Sequence, residues 1–343
     1  MTRYLIAGAQ GFLGRYLAAR ILEEERDAEI VGIGRSAAAD RFFTHAIGAR
    51  RAPPKLPATL DGRYRYRQLP LSDSARLRQL IREFRPHRVF HLASALHTAP
   101  ERDLIETNIE GTASLMSALE GSDALLIVGS SASVYGEPVA VPIAESAACN
   151  PIDLYGTTKL AAEHIARIKA MQMGLGWITA RIFNVVGPGQ SEAHVCGRLA
   201  AQLASRRPAL EVGSLETTRD FIDVRDVAAA LLFVANCGER GGTYNIASGH
   251  ETPIHVILSE LIRSSGLTAA IQPRNDLPRG VRRHVADVSR LRRLGFVPAH
   301  SLGESLRDLF RYEQGKLCLC ARLQSSPNCL QNQDVSARTR GQP

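Results

Sequence analysis

The sequence has few of the features that mark metal centres, disulfide scaffolds or membrane spans. Its 343 residues include six cysteines, which form neither a C-x-x-C pair nor a group with histidine at zinc spacing. Neither a disulfide framework nor a metal site is therefore expected. No apolar run approaches the ~20 residues of a membrane-spanning helix, so no membrane partner is expected. A strand-like run follows Met1-Thr2-Arg3 at once, which indicates no signal peptide and a cytoplasmic location.

Lysine is also scarce. The formal net charge is +8, yet Lys55, Lys159, Lys169 and Lys316 are the only lysines, so arginine supplies nearly all of the positive charge. Arginine binds phosphate groups in a bidentate manner and would suit an anionic nucleotide substrate, although genomic base composition can produce the same bias. The arginines are scattered rather than grouped with aromatic residues, and no nucleic-acid-binding motif is present. A nucleic-acid partner is therefore not expected.

Strand-like and helix-like segments alternate along the chain. Apolar runs at residues 4–7, 29–35, 88–93 and 124–129 predict strands, and the periodicity of segments such as Ser74–Phe84 predicts the helices between them. Such alternation specifies an α/β fold with a doubly wound parallel sheet. Residues 36–67, rich in Pro and Arg, predict a long irregular loop of the kind that often binds ligands.

A glycine-rich turn follows the first predicted strand. Gly8, Gly11 and Gly14 have the spacing G-x-x-G-x-x-G, one residue longer than the G-x-G-x-x-G fingerprint, and apolar residues then recur at helical spacing. Glycines let the backbone turn sharply and approach a pyrophosphate, whose charge is met by free N–H groups at the helix start. The turn is either a dinucleotide-binding site or only a tight connection.

Two further segments carry groups suited to proton transfer. Tyr155 and Lys159 are four residues apart, so on a helix they share one face, and the ammonium would favour the phenolate of the tyrosine. Residues 130–136, SSASVYG in one-letter code, follow a predicted buried strand, at the sheet edge where ligands bind. The structural alternatives are a solvated helix face and a polar strand exit.

These three features, in this order, resemble the extended branch of the short-chain dehydrogenase/reductase superfamily, whose members act on nucleotide-activated sugars. The resemblance covers residues 3 to about 313. It implies a Rossmann-type fold with a smaller C-terminal α/β substrate lobe, and a homodimer. It also implies that Tyr155 is the catalytic acid/base, that Lys159 binds the nicotinamide ribose and lowers the pKa of Tyr155, and that Ser131 hydrogen-bonds the reacting oxygen.

The resemblance implies a nicotinamide dinucleotide cofactor. In the family an acidic residue at the end of the second strand holds the ribose of NAD, whereas an arginine nearby accommodates the 2′-phosphate of NADP. This chain has Gly34-Arg35-Ser36 there, which favours NADP(H) and leaves NAD(H) open. Residues 70–73 lack the acidic residue that commonly contacts adenine. The implied cofactor-binding residues are Gly8, Gln10, Gly11, Phe12, Leu13, Gly14, Arg35, Leu92, Ala93, Tyr155 and Lys159.

Segments after Lys159 resemble the family's nucleotide-sugar-binding motifs. In R-x-F-N-x-x-G-P-G, Asn184 would contact the sugar or the diphosphate, and in R-D-F-x-D-V-x-D-V, Arg219 would clamp the diphosphate. Arg279 is implied as a further diphosphate ligand, with an offset to Arg282 left open. The implied substrate-binding residues are His97, Ser131, Asn184, Arg219 and Arg279.

Within the family, residues 183–190 and 212–227 are most like those of GDP-4-keto-6-deoxy-D-mannose reductases. With Arg35, this likeness favours an NADP(H)-dependent reductase acting on a 4-keto-6-deoxyhexose such as GDP-4-keto-6-deoxymannose. A nucleotide-sugar 4-epimerase with tightly bound NAD uses the same residues and stays open. A 4,6-dehydratase is disfavoured because Ala132-Ser133 lacks the family's acidic groups. A catalytically inactive dinucleotide sensor is disfavoured because Tyr155 and Lys159 are both present.

The expected domain organisation has three segments. Residues 1–180 form the NAD(P)-binding domain, to which later segments return, and residues 181–315 mainly form the nucleotide-sugar-binding lobe. Residues 316–343, rich in Gln, Ser, Asn and Arg without sustained periodicity, are expected to be a disordered tail. Asp226 is predicted to cap the helix that follows it.

Overall fold

The computed structural model describes residues 1–37, 62–274 and 281–324, with side chains described as far as residue 317. Within these ranges the strands are β1 (Arg3–Ala7), β2 (Glu29–Gly34), β3 (Tyr64–Gln68), β4 (Arg88–His91), β5 (Leu125–Ser131), β6 (Gly176–Ile182), β7 (Asn184–Val186), β8 (Ala209–Val212), β9 (Thr218–Asp223), β10 (Thr243–Ile246), β11 (Glu251–Pro253), β12 (Ala270–Pro273) and β13 (Arg283–His284). The α-helices are α1 (Phe12–Glu24), α2 (Ser74–Phe84), α3 (Glu101–Leu104), α4 (Gly111–Ala118), α5 (Leu154–Met173), α6 (Val195–Ala204), α7 (Val224–Cys237), α8 (Ile254–Ser265), α9 (Ser289–Arg293) and α10 (Leu302–Gln324). A π-helical segment (Ile105–Glu110) joins α3 to α4, and a 3-10 turn (Ala132–Tyr135) follows β5.

The central sheet is parallel and has seven strands in the order β10-β6-β5-β4-β1-β2-β3. Successive side chains of a strand point to opposite faces, so Tyr4 and Ile6 pack with α1 and α7, and Leu5 and Ala7 pack with α2, α4 and α5. The central strands are buried on both faces, which explains their continuous apolar runs in the sequence. The expected Rossmann-type doubly wound sheet is confirmed.

A smaller lobe follows the sheet in the chain. Its strand β9 pairs with β7, β11 and β13, and β8 pairs with β12. Helices α6, α8 and α10 surround a separate apolar core, to which Leu199, Leu258 and Phe310 belong. The expected C-terminal α/β lobe is therefore present.

The boundary between the two parts is not a single point in the chain. Strand β6 spans the predicted boundary at residue 180, and α7 and β10 return to the first part, where β10 forms the sheet edge. Helix α10 continues to Gln324, inside the segment expected to be a tail. Among the described residues, no helix combines the length and the apolar character needed to cross a bilayer.

Two local predictions were wrong. Residues 38–61 of the predicted loop lie outside the described residues, but its last residues form most of β3, an edge strand in which Tyr64 is buried and Arg65 is exposed. The predicted cap of α7 is also shifted: the Asp223 carboxylate accepts from the Arg225 N–H at 2.8 Å. Asp226 instead accepts from the N–H groups that precede α10, so the tertiary contact decided which aspartate became the cap.

Candidate active site

The turn between β1 and α1 depends on glycine. Gly8 has a φ of +87°, in the left-handed region, and a Cβ there would lie 2.7 Å from the Ala93 nitrogen. A Cβ on Gly14 would collide with the Gly8 carbonyl oxygen, so this glycine lets α1 pack directly on the turn. Gly11 is the N-cap of α1 and has no side chain to occupy the first helical N–H groups. Those donors are suited to an anion.

A cavity of about 400 Å³ opens beside this turn, at the carboxyl edge of the sheet near the switch between β1 and β4. Arg15, Ser36 and Glu106 line it and were not predicted. A larger depression of about 700 Å³ lies beside Arg3 and Arg85, away from the glycine turn. Of the predicted cofactor-binding residues, Gly8, Gln10, Gly11, Arg35, Leu92 and Ala93 line the 400 Å³ cavity.

Phe12, Leu13 and Gly14, also predicted to bind the cofactor, are not among the residues that line this cavity. Phe12 and Leu13 pack against the hydrophobic core, and Phe12 contacts the Tyr16 ring edge-to-face at a centroid distance of 5.9 Å. Their side chains therefore serve the packing of α1. Only their main-chain N–H groups, at the helix start, are suited to a cofactor.

The turn that carries Arg35 is held by β3, the strand that was not predicted from the sequence. Gln68 donates from Nε2 to the Arg35 carbonyl oxygen at 2.9 Å, and the Tyr66 hydroxyl donates to the Ser36 carbonyl oxygen at 2.8 Å. Both donors lie on β3, so this edge strand fixes the main chain of Arg35 at the rim of the cavity.

The ends of β5 and α5 bring the predicted catalytic residues together. Ser131 is the last residue of β5, and Tyr155 lies in the first turn of α5. A Cβ on Gly156 would lie 2.6 Å from the Ser133 carbonyl oxygen, so glycine lets α5 approach the turn after β5. The Asp153 carboxylate caps α5 by accepting from the Gly156 N–H at 2.6 Å.

The protonation of Tyr155 is set by burial and by two hydroxyls. Burial raises the pKa of Tyr155, while hydrogen bonding with Ser131 and Ser94 lowers it. A residue of this kind is protonated at neutral pH and can donate a proton. The expected lowering of the Tyr155 pKa by Lys159 is absent from this balance.

Ser94, which the sequence did not single out, is held by Asn108 in the π-helical segment. The Asn108 side-chain oxygen accepts from the Ser94 hydroxyl at 3.0 Å, and its amide donates to the Thr158 hydroxyl at 3.0 Å. Asn108 therefore connects Ser94 to α5 at a position three residues after Tyr155.

Lys159 is buried and turned toward the sheet. Its Nζ donates to the Gly129 carbonyl oxygen at 2.6 Å. Burial lowers the pKa of Lys159 to about 8, against the opposing effect of the Glu163 carboxylate. The ammonium is therefore still the main form at pH 7, but it loses its proton at a lower pH than an exposed lysine does.

His97 lies beside Tyr155 and is itself in contact with a second histidine, His194. The His97 ring centroid is 6.3 Å from that of Tyr155 and 5.3 Å from that of His194. Burial and repulsion by His97 lower the pKa of His194 to about 4, so His194 is neutral at pH 7. His97 was predicted to line the substrate pocket, whereas His194 was not, because a lone histidine carries no sequence pattern.

The strand register leads from Ser131 to the predicted substrate residues. Ser131 is paired with Ile182 of β6, and the chain then continues to Asn184 at the start of β7. Asn184 is paired with Phe221 of β9, two residues beyond Arg219. The Asn184 amide donates to the Asp220 carbonyl oxygen at 3.2 Å, which fixes its orientation.

Arg219 is partly exposed and carries its charge beside β13. Its Nη1 donates to the Thr218 carbonyl oxygen at 2.7 Å, and burial lowers its pKa against the opposing charge of Glu137. The register pairs Arg219 with His284 of β13. Arg279, also predicted to bind the diphosphate, lies outside the described residues.

The residues around the glycine turn and the 400 Å³ cavity fit a dinucleotide better than a metal ion. The glycine turn lets a ligand approach the backbone where any Cβ at Gly8 would clash with Ala93, and the cavity continues to Arg35. In the part of the chain that the structure describes, no group of three or more His, Cys, Asp or Glu side chains is arranged to hold a metal ion.

Comparison with known proteins agrees with this geometry. The model of the NAD dependent epimerase/dehydratase family matches residues 4–247. GDP-6-deoxy-D-mannose reductase of Pseudomonas aeruginosa is 36% identical over 194 residues, which are 51% of this chain and 62% of that protein. The dTDP-6-deoxy-L-talose 4-dehydrogenase (NAD(P)(+)) of Kitasatospora kifunensis is 29% identical over 323 residues, which are 90% of this chain and 95% of that protein.

Among solved structures, RMD from Pseudomonas aeruginosa complexed with NADPH superposes with a TM-score of 0.75 at 27% identity, covering 92% of this chain and 99% of that one. The match of the family model covers more than half of the chain and includes the glycine turn, Ser131, Tyr155, Lys159 and Arg219. The chain therefore belongs to the NAD-dependent epimerase/dehydratase family.

Proposed function

We propose that the protein is an NADP(H)-dependent reductase of a nucleotide-activated 4-keto-6-deoxyhexose such as GDP-4-keto-6-deoxymannose. The observation that carries the proposal is the hydrogen bonding of the Tyr155 hydroxyl with Ser131, at the end of β5, and with Ser94, which lines the same cavity as Arg35. Similarity to proteins named as a GDP-6-deoxy-D-mannose reductase and a dTDP-6-deoxy-L-talose 4-dehydrogenase supports the substrate class.

Reduction of a ketone requires a hydride at carbon and a proton at oxygen. Bound NADPH would supply the hydride. Tyr155 donates its hydroxyl proton to the ketone oxygen, and the Ser131 hydroxyl donates a hydrogen bond to the same oxygen as negative charge develops there. The raised pKa of Tyr155 suits this direction, because the residue must carry its proton before the step. Lys159 is proposed to hold the nicotinamide ribose one helical turn from Tyr155, since its ammonium does not contribute to the balance that sets the Tyr155 pKa.

Substrate recognition would come from the second lobe. The Arg219 guanidinium can form two parallel hydrogen bonds with a diphosphate, and the Asn184 amide offers both a donor and an acceptor to the sugar. Arg279 is proposed as a second cation for the diphosphate. A bound diphosphate would thus fix the sugar ketone relative to Tyr155 by contacts far from the reacting carbon.

The proposal is tested by replacing Tyr155 with phenylalanine. Tyr155→Phe removes the proton donor and should lower kcat by roughly 10²–10⁴-fold, while NADPH binding changes little. Turnover is followed by NADPH absorbance with GDP-4-keto-6-deoxymannose, and binding by nicotinamide fluorescence. Tyr4→Phe is the matched control, since Tyr4 is a buried β1 tyrosine whose hydroxyl donates to Glu25 at 2.5 Å. Wild-type turnover in Tyr155→Phe would refute the proposal.

The same assay with GDP-, UDP-, dTDP- and CDP-sugars distinguishes the epimerase alternative. A reductase consumes one NADPH per product and releases NADP. An epimerase returns the hydride to its substrate and shows no net change in nicotinamide absorbance. Epimerised sugar without NADPH consumption would therefore replace the proposed reduction with epimerisation.

The preference for NADP(H) is proposed to depend on Arg35, which lines the cavity. Arg35→Ala removes the proposed partner of the 2′-phosphate and should lower kcat/KM for NADPH about tenfold or more, with little change for NADH. Arg67→Ala is the control, because this exposed β3 arginine does not line the cavity. An unchanged ratio between the two cofactors in Arg35→Ala would count against the preference.

A further inference from the structure

The last three residues of β5 are Gly129, Ser130 and Ser131. The first two are bound by side chains of α5, and the third is a proposed catalytic residue. The Gly129 carbonyl oxygen accepts from Lys159 Nζ at 2.6 Å, and the Ser130 hydroxyl donates to Glu163 Oε1 at 2.5 Å. The next residue is Ser131, whose hydroxyl is the proposed hydrogen-bond donor to substrate. Lys159 and Glu163 are four residues apart on α5, so one helix face holds two neighbouring residues of the strand.

Glu163 also binds β6 through Arg181. Arg181 donates to the Glu163 carboxylate from Nη2 at 2.9 Å and from Nε at 3.1 Å. Its third contact is Nη1 to the Glu145 carbonyl oxygen at 3.0 Å, and its guanidinium lies 4.8 Å from the centroid of the Tyr135 ring. Glu163 is 6% exposed and Arg181 8%, so this pair is an interior one.

We propose that Glu163 is a positioning residue of the active site: with Ser130 and Arg181 it fixes the end of β5 against α5, and it places a negative charge one helical turn from Lys159. The kinetic part of this inference rests on the proposed function. The electrostatic part concerns Lys159 alone and does not need a substrate.

The buried lysine distinguishes this arrangement from an ordinary interior ion pair. A buried glutamate–arginine pair by itself is a neutral unit that well-packed apolar residues can often replace without loss of stability. Lys159 adds a third charge to the same interior, and burial alone favours its neutral form. Glu163 opposes that effect, since its charge raises the pKa of Lys159.

No second carboxylate of the described residues was found to raise the pKa of Lys159. His91 of β4 is fully buried and neutral at pH 7, because burial and Lys159 lower its pKa to about 3. Tyr155 is neutral because its pKa is raised. The Glu163–Arg181 pair also interacts with the phenol of Tyr135 and with the Cys149 thiol, whose pKa is raised by burial and by Glu163, so the thiol is neutral at pH 7. Asn108 and Thr112, near α5 and His91, do not titrate.

The charge of Lys159 can be measured directly. The chain has four lysines, so protein with isotopically labelled lysine gives few side-chain NMR signals, and Lys159→Met identifies the signal of Lys159. The wild-type signal should titrate with a midpoint near pH 8. Glu163→Gln should move this midpoint about one pH unit lower, because the neutral amide no longer stabilises the ammonium.

Arg181→Gln should move the same midpoint to higher pH, because it removes a positive charge and leaves Glu163 free to act on Lys159. Opposite displacements in the two variants cannot come from a general loosening of the core, which would act in one direction. If Glu163→Gln does not fold, an unmoved or lower midpoint in Arg181→Gln overturns the inference. A higher midpoint then supports it only where Arg225→Gln, the equivalent change in the second lobe, leaves the Lys159 midpoint in place, because loosening of the core would also raise the pKa of Lys159. Glu163→Asp keeps the charge and should hold the midpoint near the wild-type value.

The second lobe offers a matched control. Asp223 is also a buried carboxylate that accepts from an arginine, Arg225, and from a serine hydroxyl, Ser305. Asp223→Asn therefore removes an equivalent interior charge away from Lys159 and should leave the Lys159 midpoint in place. An unmoved midpoint in Glu163→Gln, or an equal displacement in Asp223→Asn, would overturn the inference.

Turnover supplies the second readout. In Glu163→Gln, the alkaline limb of kcat/KM against pH should move to lower pH by the same amount as the NMR midpoint. The reason is that Lys159 then loses its proton at a lower pH. A displaced midpoint with an undisplaced limb would overturn the active-site role of Glu163 and leave the proposed reductase intact. Absence of turnover in the wild type would refute the proposed function, and the NMR result would still decide the electrostatic inference.

Discussion

The cofactor cavity and the substrate lobe offer different kinds of groups to an anionic ligand. On the cofactor side, the glycine turn leaves the main-chain N–H groups at the start of α1 accessible, and a Cβ at Gly8 or Gly14 would meet backbone atoms. In the substrate lobe, the candidate groups are the side chains of Asn184 and Arg219, on strands that meet only in the folded chain.

This difference determines which substitutions each side tolerates. A binding site formed by main-chain N–H groups requires that a few positions carry no side chain. Adding one methyl group at such a position therefore damages the site. A site made of side chains depends on the shape of each donor group, so a change that keeps the charge can still damage it. The first site is encoded within one short segment, and the second is distributed along the chain.

The largest effect is expected from Gly14→Ala. The added Cβ meets the Gly8 carbonyl oxygen and the Ala9 main chain, which cannot move without shifting β1 or α1. The free energy of unfolding should fall by about 3 kcal/mol, and NADPH affinity should fall with it. Chemical denaturation and fluorescence titration measure the two quantities.

Gly121→Ala provides the control for Gly14→Ala. Gly121 has a φ of +75° but open space where a Cβ would lie, so only the left-handed backbone penalty of about 1 kcal/mol applies. NADPH affinity should not change. Equal losses of affinity in both variants would show that the turn does not depend on close packing at Gly14.

A smaller effect is expected from Arg219→Lys. Lysine keeps the charge but lacks the planar pair of donors, so KM for the nucleotide sugar should rise about tenfold with kcat nearly unchanged. Steady-state kinetics at saturating NADPH measure both parameters. Arg263→Lys, on the exposed surface of α8, should change neither. A KM unaffected by Arg219→Lys would remove Arg219 from the substrate site.

The smallest effect is expected at His194, which precedes α6 and whose ring contacts that of His97, the neighbour of Tyr155. Burial lowers the pKa of His194 from 6.5 to about 4, so between these pH values the unfolded chain binds a proton that the folded chain does not. The free energy of unfolding should therefore fall as the pH drops through this window. In His194→Asn, this fall in the free energy of unfolding should be smaller by about 1 kcal/mol, a value that allows for the partial exposure of His194.

Urea unfolding at pH 7 and near pH 4 measures this contribution. His255→Asn is the control, because His255 is exposed on α8 and has no buried contact to lose. An identical acid dependence in wild type and His194→Asn would show that His194 titrates as an ordinary exposed histidine.

The sequence predicted those parts of the molecule that depend on neighbours in the chain. The glycine turn, α2 and the placement of Tyr155 and Lys159 on one helix follow from spacing alone. The contact of Lys159 with the Gly129 carbonyl does not. It did not predict β3, although Tyr and Arg alternate there, because the Pro- and Arg-rich residues before it indicated a loop. It also chose Asp226 over Asp223 as a cap, since two aspartates three residues apart look equivalent before folding.

The sequence by itself determined a parallel α/β fold with a glycine turn after its first strand, because periodicity and backbone freedom are local properties. Only the tertiary structure joined Glu163 to Ser130 and Arg181, and only it placed Ser94 near Tyr155 and His194 against His97. It also used β3 to hold the Arg35 turn. Those contacts join residues far apart in the chain, and burial then sets their charges. Neither the contact nor the burial exists until the sheet has formed.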